Sequence, residues 1–131
     1  KHLMEVRGAV EMKVLDLVMA RLDDDIEARL RGALEAERAA TTAEFAVMGH
    51  DLHGVLGSVA GNRVLELLTL VLVRLARFHS TTPPEAADAP LPTGEVMHIH
   101  ERIVEAILDR DLDLARHRMR RHFEALERWV R

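Results

Sequence analysis

The stretch HERIVEAILDRDLDLARHRMRRHF, residues 100–123, decides the fold. Ile103, Val104 and Ile107 recur at the three-and-four spacing of one helix face, and His100 sits inside that stripe. Past Asp109 and Asp111 the same period restarts with Leu112, Ala115 and Met119 and runs on to Leu126 and Val130. His122 occupies the place between Met119 and Leu126. A half-buried strand would alternate at every second residue, and no such alternation occurs in the chain. The pattern predicts two helices, over about 95–109 and 111–131, each carrying a histidine on its apolar face.

Four more helices precede them. Leu3, Val6, Val10, Val14 and Leu17 form the stripe of a first helix. Asp23, Asp24 and Asp25 then supply a cap and an acidic first turn for a second helix marked by Ile26, Leu30, Ala33 and Leu34. A third is expected from Thr41, with Glu44 at capping-box spacing and the stripe Phe45, Met48, Leu52, Val55 and Val59, ending at Gly61-Asn62. A fourth runs over about 63–79 and is apolar almost all round in its first half, which points to a central place or a subunit interface. All four prolines fall between Pro83 and Pro92 and mark one loop. The fold class is all-α, an antiparallel six-helix bundle in a single domain over residues 1–131.

Composition narrows the chemistry. The 131 residues are 48% hydrophobic and 31% charged, a globular balance, and the absence of cysteine excludes a disulfide framework or a thiolate metal site. A net charge of −4 argues against nucleic-acid binding by these residues alone, since phosphate neutralisation needs a basic surface. The most apolar run, Val64 to Val73, contains Glu66 and falls well short of the roughly 20 residues a bilayer requires. No signal peptide is visible, and a cytoplasmic location is expected.

Eight histidines stand against only four aromatic residues, Phe45, Phe78, Phe123 and Trp129. His98 and His117 neighbour charged residues at helical spacing and read as solvent-facing. His2 and His79 lie near ends, and His50 is ambiguous. His53, beside Leu52 and Leu56, joins His100 and His122 on apolar faces, so three helices can each send one imidazole inward. A buried imidazole without a partner costs on the order of 1–3 kcal/mol, so each needs either a hydrogen bond in the core or a shared metal. Neutral imidazole suits zinc, nickel, copper and iron, and three protein ligands leave positions open for water or substrate. Metal-hydrolase, phosphate-loop, dinucleotide and serine-nucleophile motifs are missing. Arg7 and Glu11 form an i,i+4 pair that reads as surface support, and Asp51 is the one inward-leaning carboxylate expected near the histidines.

Three segments then carry a resemblance. LHGVLGSVAGNRVL, with His53 eight residues before Gly61, resembles the "FH…L…sGN..L" signature of the FCD domain, the effector-binding half of FadR-subfamily GntR transcriptional regulators. Residues 100–123 resemble the family's closing "H..i..Ai..gD...A...m..H", with His100, Ala106, Asp111, Ala115, Met119 and His122 in register. LMEVRGAVE is similar to its opening "l.EvR..lE". The resemblance covers essentially the whole chain. It implies a dimerising six-helix bundle of the VanR-like type, enclosing a cavity where a small carboxylate effector binds beside a divalent metal held by one Asp and three His.

On that resemblance His53, His100 and His122 are the metal ligands, with zinc or nickel the first candidates. Arg7 and Asn62 match positions near the effector, and an arginine there offers a carboxylate a bidentate fork. The position of the aspartate ligand, four residues before His53, holds Gly49. His50 and Asp51 lie close by, at other helix angles, as possible accessory ligands. The family's DNA-binding winged-helix domain precedes the sensor domain and has no counterpart in residues 1–131, so DNA would be engaged only through it. Two rival functions stay in view: a three-histidine metal-dependent hydrolase or lyase, and a metal-free helical dimerisation module.

Overall fold

Asp23 begins the second helix as expected: its side-chain Oδ1 accepts the N–H of Ile26 at 2.8 Å, satisfying one of the free donors of a helix start. The computed structural model describes residues 2–39, 52–79 and 93–127. They form six helices: α1 (His2–Arg21), α2 (Asp24–Ala39), α3 (Leu52–Val59), α4 (Arg63–His79), α5 (Thr93–Leu108) and α6 (Leu112–Glu127). The first half of the expected third helix, residues 41–51, and the proline-rich loop lie outside the described residues.

The boundaries follow local chemistry. Gly61, at φ 78°, takes the left-handed conformation that glycine reaches at no steric cost, and a Cβ there would sit 2.6 Å from the Arg21 guanidinium. Asn62 restarts the chain as the cap of α4, its Oδ1 accepting the N–H groups of Val64 and Leu65 at 3.1 Å. Asp111 caps α6 by accepting the N–H of Leu114. Arg110 closes α5 at φ 57°, while the Asp111 N–H reaches back to the Ala106 carbonyl at 3.0 Å.

Helix α1 packs against α3, α4 and α6, α2 against α3 and α5, and α5 against α6. The core is one cluster in which Leu15, Leu30, Leu52, Leu56, Ile103, Ile107 and Met119 are fully buried. Burial of such a side chain stabilises by roughly 1.5–3 kcal/mol. Gly57 lets α3 approach α4, because a Cβ there would lie 3.2 Å from Thr69 Cβ.

One expectation is corrected and another narrowed. The buried face of α1 is Met4, Arg7, Glu11, Val14, Leu15 and Val18, rotated from the expected stripe, and Val6 is exposed. Apolar spacing alone misplaced that face because two of its members are charged. Of the two places expected for helix α4, the central one is not taken: Leu72, Val73 and Ala76 are buried, whereas Val64, Leu67, Leu68, Val71 and Leu75 are 41–66% exposed.

Candidate metal centre

His53 on α3, His100 on α5 and His122 on α6 meet in the core, each 2–3% exposed. Their Nε2 atoms converge: His53 to His122 at 3.2 Å and His100 to His122 at 3.3 Å. The His53 and His122 rings are parallel, and the His100 ring stands perpendicular to both. All three expected ligands are therefore brought together, with one ring nitrogen of each within 4.8 Å of the others.

Two carboxylates hold the rings from behind. His53 Nδ1 bonds Glu11 Oε1. His100 Nδ1 lies 2.8 Å from Glu37 Oε2. An ionised carboxylate only accepts, so each of these Nδ1 atoms carries the proton and the Nε2 of the neutral ring turns a lone pair inward. Two lone pairs then face His122 Nε2, which has at most one proton to offer. One lone pair is then left without a proton, and a cation among the three nitrogens would take it up. Imidazole nitrogens about 2.0–2.1 Å from a tetrahedral zinc stand roughly 3.4 Å apart, close to the spacing present. Nitrogen donors backed by carboxylates are also the donor set that divalent zinc or nickel takes.

The carboxylates are themselves anchored. Glu11 Oε2 accepts from Arg7 Nε at 2.8 Å, and the Arg7 guanidinium lies over the Phe123 ring at 5.2 Å. Glu37 Oε1 accepts the backbone N–H of Leu52 at 2.7 Å, at the start of the helix that carries His53. Every helix except α4 thus contributes to one network. Burial alone would raise the Glu11 carboxyl, but His53 and Arg7 together hold it below its ordinary value. His122 is displaced far below the usual imidazole range, first by burial, then by His53, His100 and Arg7, so it stays neutral and available as a ligand.

The Arg7–Glu11 pair, expected at the surface, is buried, and Glu11 and Glu37 are carboxylates beside the histidines that the sequence reading missed. The signal for both lay in the helical period. Glu11 falls on the 4-7-11-14-18 face of α1, and Glu37 extends the Ile26, Leu30, Ala33 and Leu34 face of α2. Asn62 is exposed and spends its Oδ1 on the α4 cap. No contact among the described residues ties it to the histidines. Gly49, His50 and Asp51 lie outside the described residues. His98 and His117 are exposed, as expected.

Both rivals lose ground on this geometry. A dimerisation module with merely buried histidines would bond each imidazole to backbone or hydroxyl groups, whereas here they meet carboxylates and one another. All four oxygens of Glu11 and Glu37 are engaged, so neither is a free general base. No helix among the described residues is long and apolar enough to cross a membrane.

Comparison with the curated proteins gives no match. The family model of the FCD domain matches residues 2–125, nearly the whole chain. A six-helix domain in register with that model from end to end, with the three histidines converged, belongs to the FCD family, the ligand-binding domains of GntR-type regulators rather than enzymes.

Proposed function

We propose that this domain senses a small carboxylate metabolite for a bacterial GntR/FadR-type transcriptional regulator in the cytoplasm. A divalent ion, zinc or nickel, would be held by His53, His100 and His122 and would supply a Lewis-acidic positive charge for the effector carboxylate. The observation that carries this reading is the convergence of three Nε2 atoms, two of them with their tautomer fixed by a carboxylate.

Arg7 supports the same reading. Only its Nε is bonded among the described residues, so its terminal N–H groups would be offered to a bidentate carboxylate. Asn62 would offer its side-chain amide N–H to an effector oxygen. His50 and Asp51 are the candidates for a further metal ligand, since Gly49 supplies none.

The exposed face of α4 would carry the homodimer. Val64, Leu68, Val71 and Leu75 are spaced four, three and four residues apart, a series that reads the same in both directions. An antiparallel pairing about a two-fold axis near residues 69 and 70 therefore lays the stripe on itself and brings Glu66 of one copy toward Arg74 of the other. The effector would favour one dimer arrangement over another and so control DNA binding by a winged-helix domain outside these residues.

Cobalt(II) substitution tests the effector step. Malonate or lactate added to the cobalt protein should change its visible absorption saturably, and Arg7→Met should weaken that response by tenfold or more. No spectral change with any small carboxylate would remove the sensing reading.

A further inference from the structure

The α5–α6 face carries a groove of about 450 Å³, lined among others by His98, Arg102, His117, Arg118, Arg121 and His122. Its volume lies in the range of small-molecule sites. Among the described residues no aspartate or glutamate lines it, although the chain as a whole is acidic. The nearest carboxylate contact is Glu105, 4.0 Å from Arg118 Nη1. Arg118 also donates to the Arg102 carbonyl, which ties α6 to α5 across the groove. The Arg102 and Arg121 guanidiniums have no acidic partner among the described residues, unlike Arg29, Arg31 and Arg38, each paired with a carboxylate.

His122 gives the groove a buried polar group. Its Nε2 faces the other two histidines, inside the core. Glu11 backs His53 and Glu37 backs His100, but among the described residues no carboxylate backs His122. The ring is 3% exposed and lines the groove.

We propose that this groove is an anion site, separate from the cluster's inner face, that takes a small multiply charged oxyanion, a phosphate ester or a clustered carboxylate. Arg102 and Arg121 give the bound anion charge-assisted hydrogen bonds, and Arg118 supplies a third positive charge. Ligand specificity comes from donor geometry; the groove reads the anion's charge and oxygens.

The test is calorimetry on metal-stripped protein in 150 mM NaCl, with pyrophosphate and citrate as separate titrants. Omitting metal keeps the result independent of the metal-centre reading. Saturable one-to-one binding is expected for at least one titrant, and the preferred titrant identifies the phosphate or carboxylate source. Arg102→Gln/Arg121→Gln should weaken it tenfold or more with an unchanged melting temperature. Arg29→Gln/Arg31→Gln, which removes the same charge from α2, should leave it intact. Equal losses in the two double variants would overturn the site as mere bulk charge, and so would a lack of binding by either titrant. A duplex oligonucleotide that binds where both titrants fail would also overturn it.

Discussion

Glu37 is shared between a side chain and a helix start: one oxygen holds His100 Nδ1 at 2.8 Å and the other accepts the Leu52 N–H at 2.7 Å. A single residue of α2 thus orients one ligand directly and places the helix that carries another. Glu37→Gln keeps the shape but cannot accept both bonds with a full charge. Its zinc affinity should fall about 10–100-fold, and the folded state should lose about 1–3 kcal/mol. Zinc titration against a competing chelator and urea unfolding read the two effects separately.

Arg7 and Glu11 should be strongly coupled. Glu11→Ala leaves a buried guanidinium and the His53 ring without their acceptor, and should cost about 3–5 kcal/mol. Replacing both charges, as in Arg7→Met/Glu11→Leu, should cost clearly less than the sum of the single changes. Urea midpoints across the double-mutant cycle measure the coupling. Strict additivity would contradict the pairing.

Acid should destabilise the metal-stripped domain earlier than carboxylate titration alone would. The native His122 resists protonation, whereas in the unfolded chain it binds a proton near its ordinary value of about 6.5. The unfolded state therefore holds more protons below that pH, and stability is lost as pH falls, by about 1.4 kcal/mol per unit for one proton. Glu11, held low, adds a further loss at more acidic pH in the same direction. Urea unfolding at pH 7.5, 6.5 and 5.5 should show the decline. His122→Asn should flatten the part near neutrality.

Arg110 has its backbone at φ 57°, where a Cβ is strained and glycine is not. Arg110→Gly should stabilise by about 0.5–1 kcal/mol, the relieved strain exceeding the added freedom of the unfolded chain and the loss of one long contact to the Leu22 carbonyl at 3.4 Å. Thermal unfolding checks it.

The α4 stripe gives a solution prediction. Leu68→Glu/Val71→Glu should convert a dimer to a monomer by light scattering and leave the melting temperature of the monomer nearly unchanged, because both positions face outward. A dimer of unaltered affinity would place the contact elsewhere.

Helices and ligands were legible to different depths. The stripes through Ile103, Ile107 and Met119 define α5 and α6, and a histidine inside an apolar stripe is a visible anomaly, which is why His53, His100 and His122 could be picked out. Glu11 and Glu37 were not, because a carboxylate on an amphipathic helix ordinarily marks the wet face. The helical period places both on buried faces, but the partners that satisfy them lie 42 and 63 residues away, and that pairing is a tertiary fact. The face of α1 was misjudged for the same reason. Helix α4 was legible only as a choice between a central place and a subunit interface, because apolar composition alone does not separate a core face from an exposed one.

Zinc binding measured by calorimetry and metal analysis on the wild type, His53→Ala and His100→Ala tests the central claim most directly. The account predicts one zinc or nickel per chain in the wild type, with affinity reduced at least a hundredfold in each variant while circular dichroism still shows a helical fold. Undiminished metal binding in both variants would contradict the three-histidine centre.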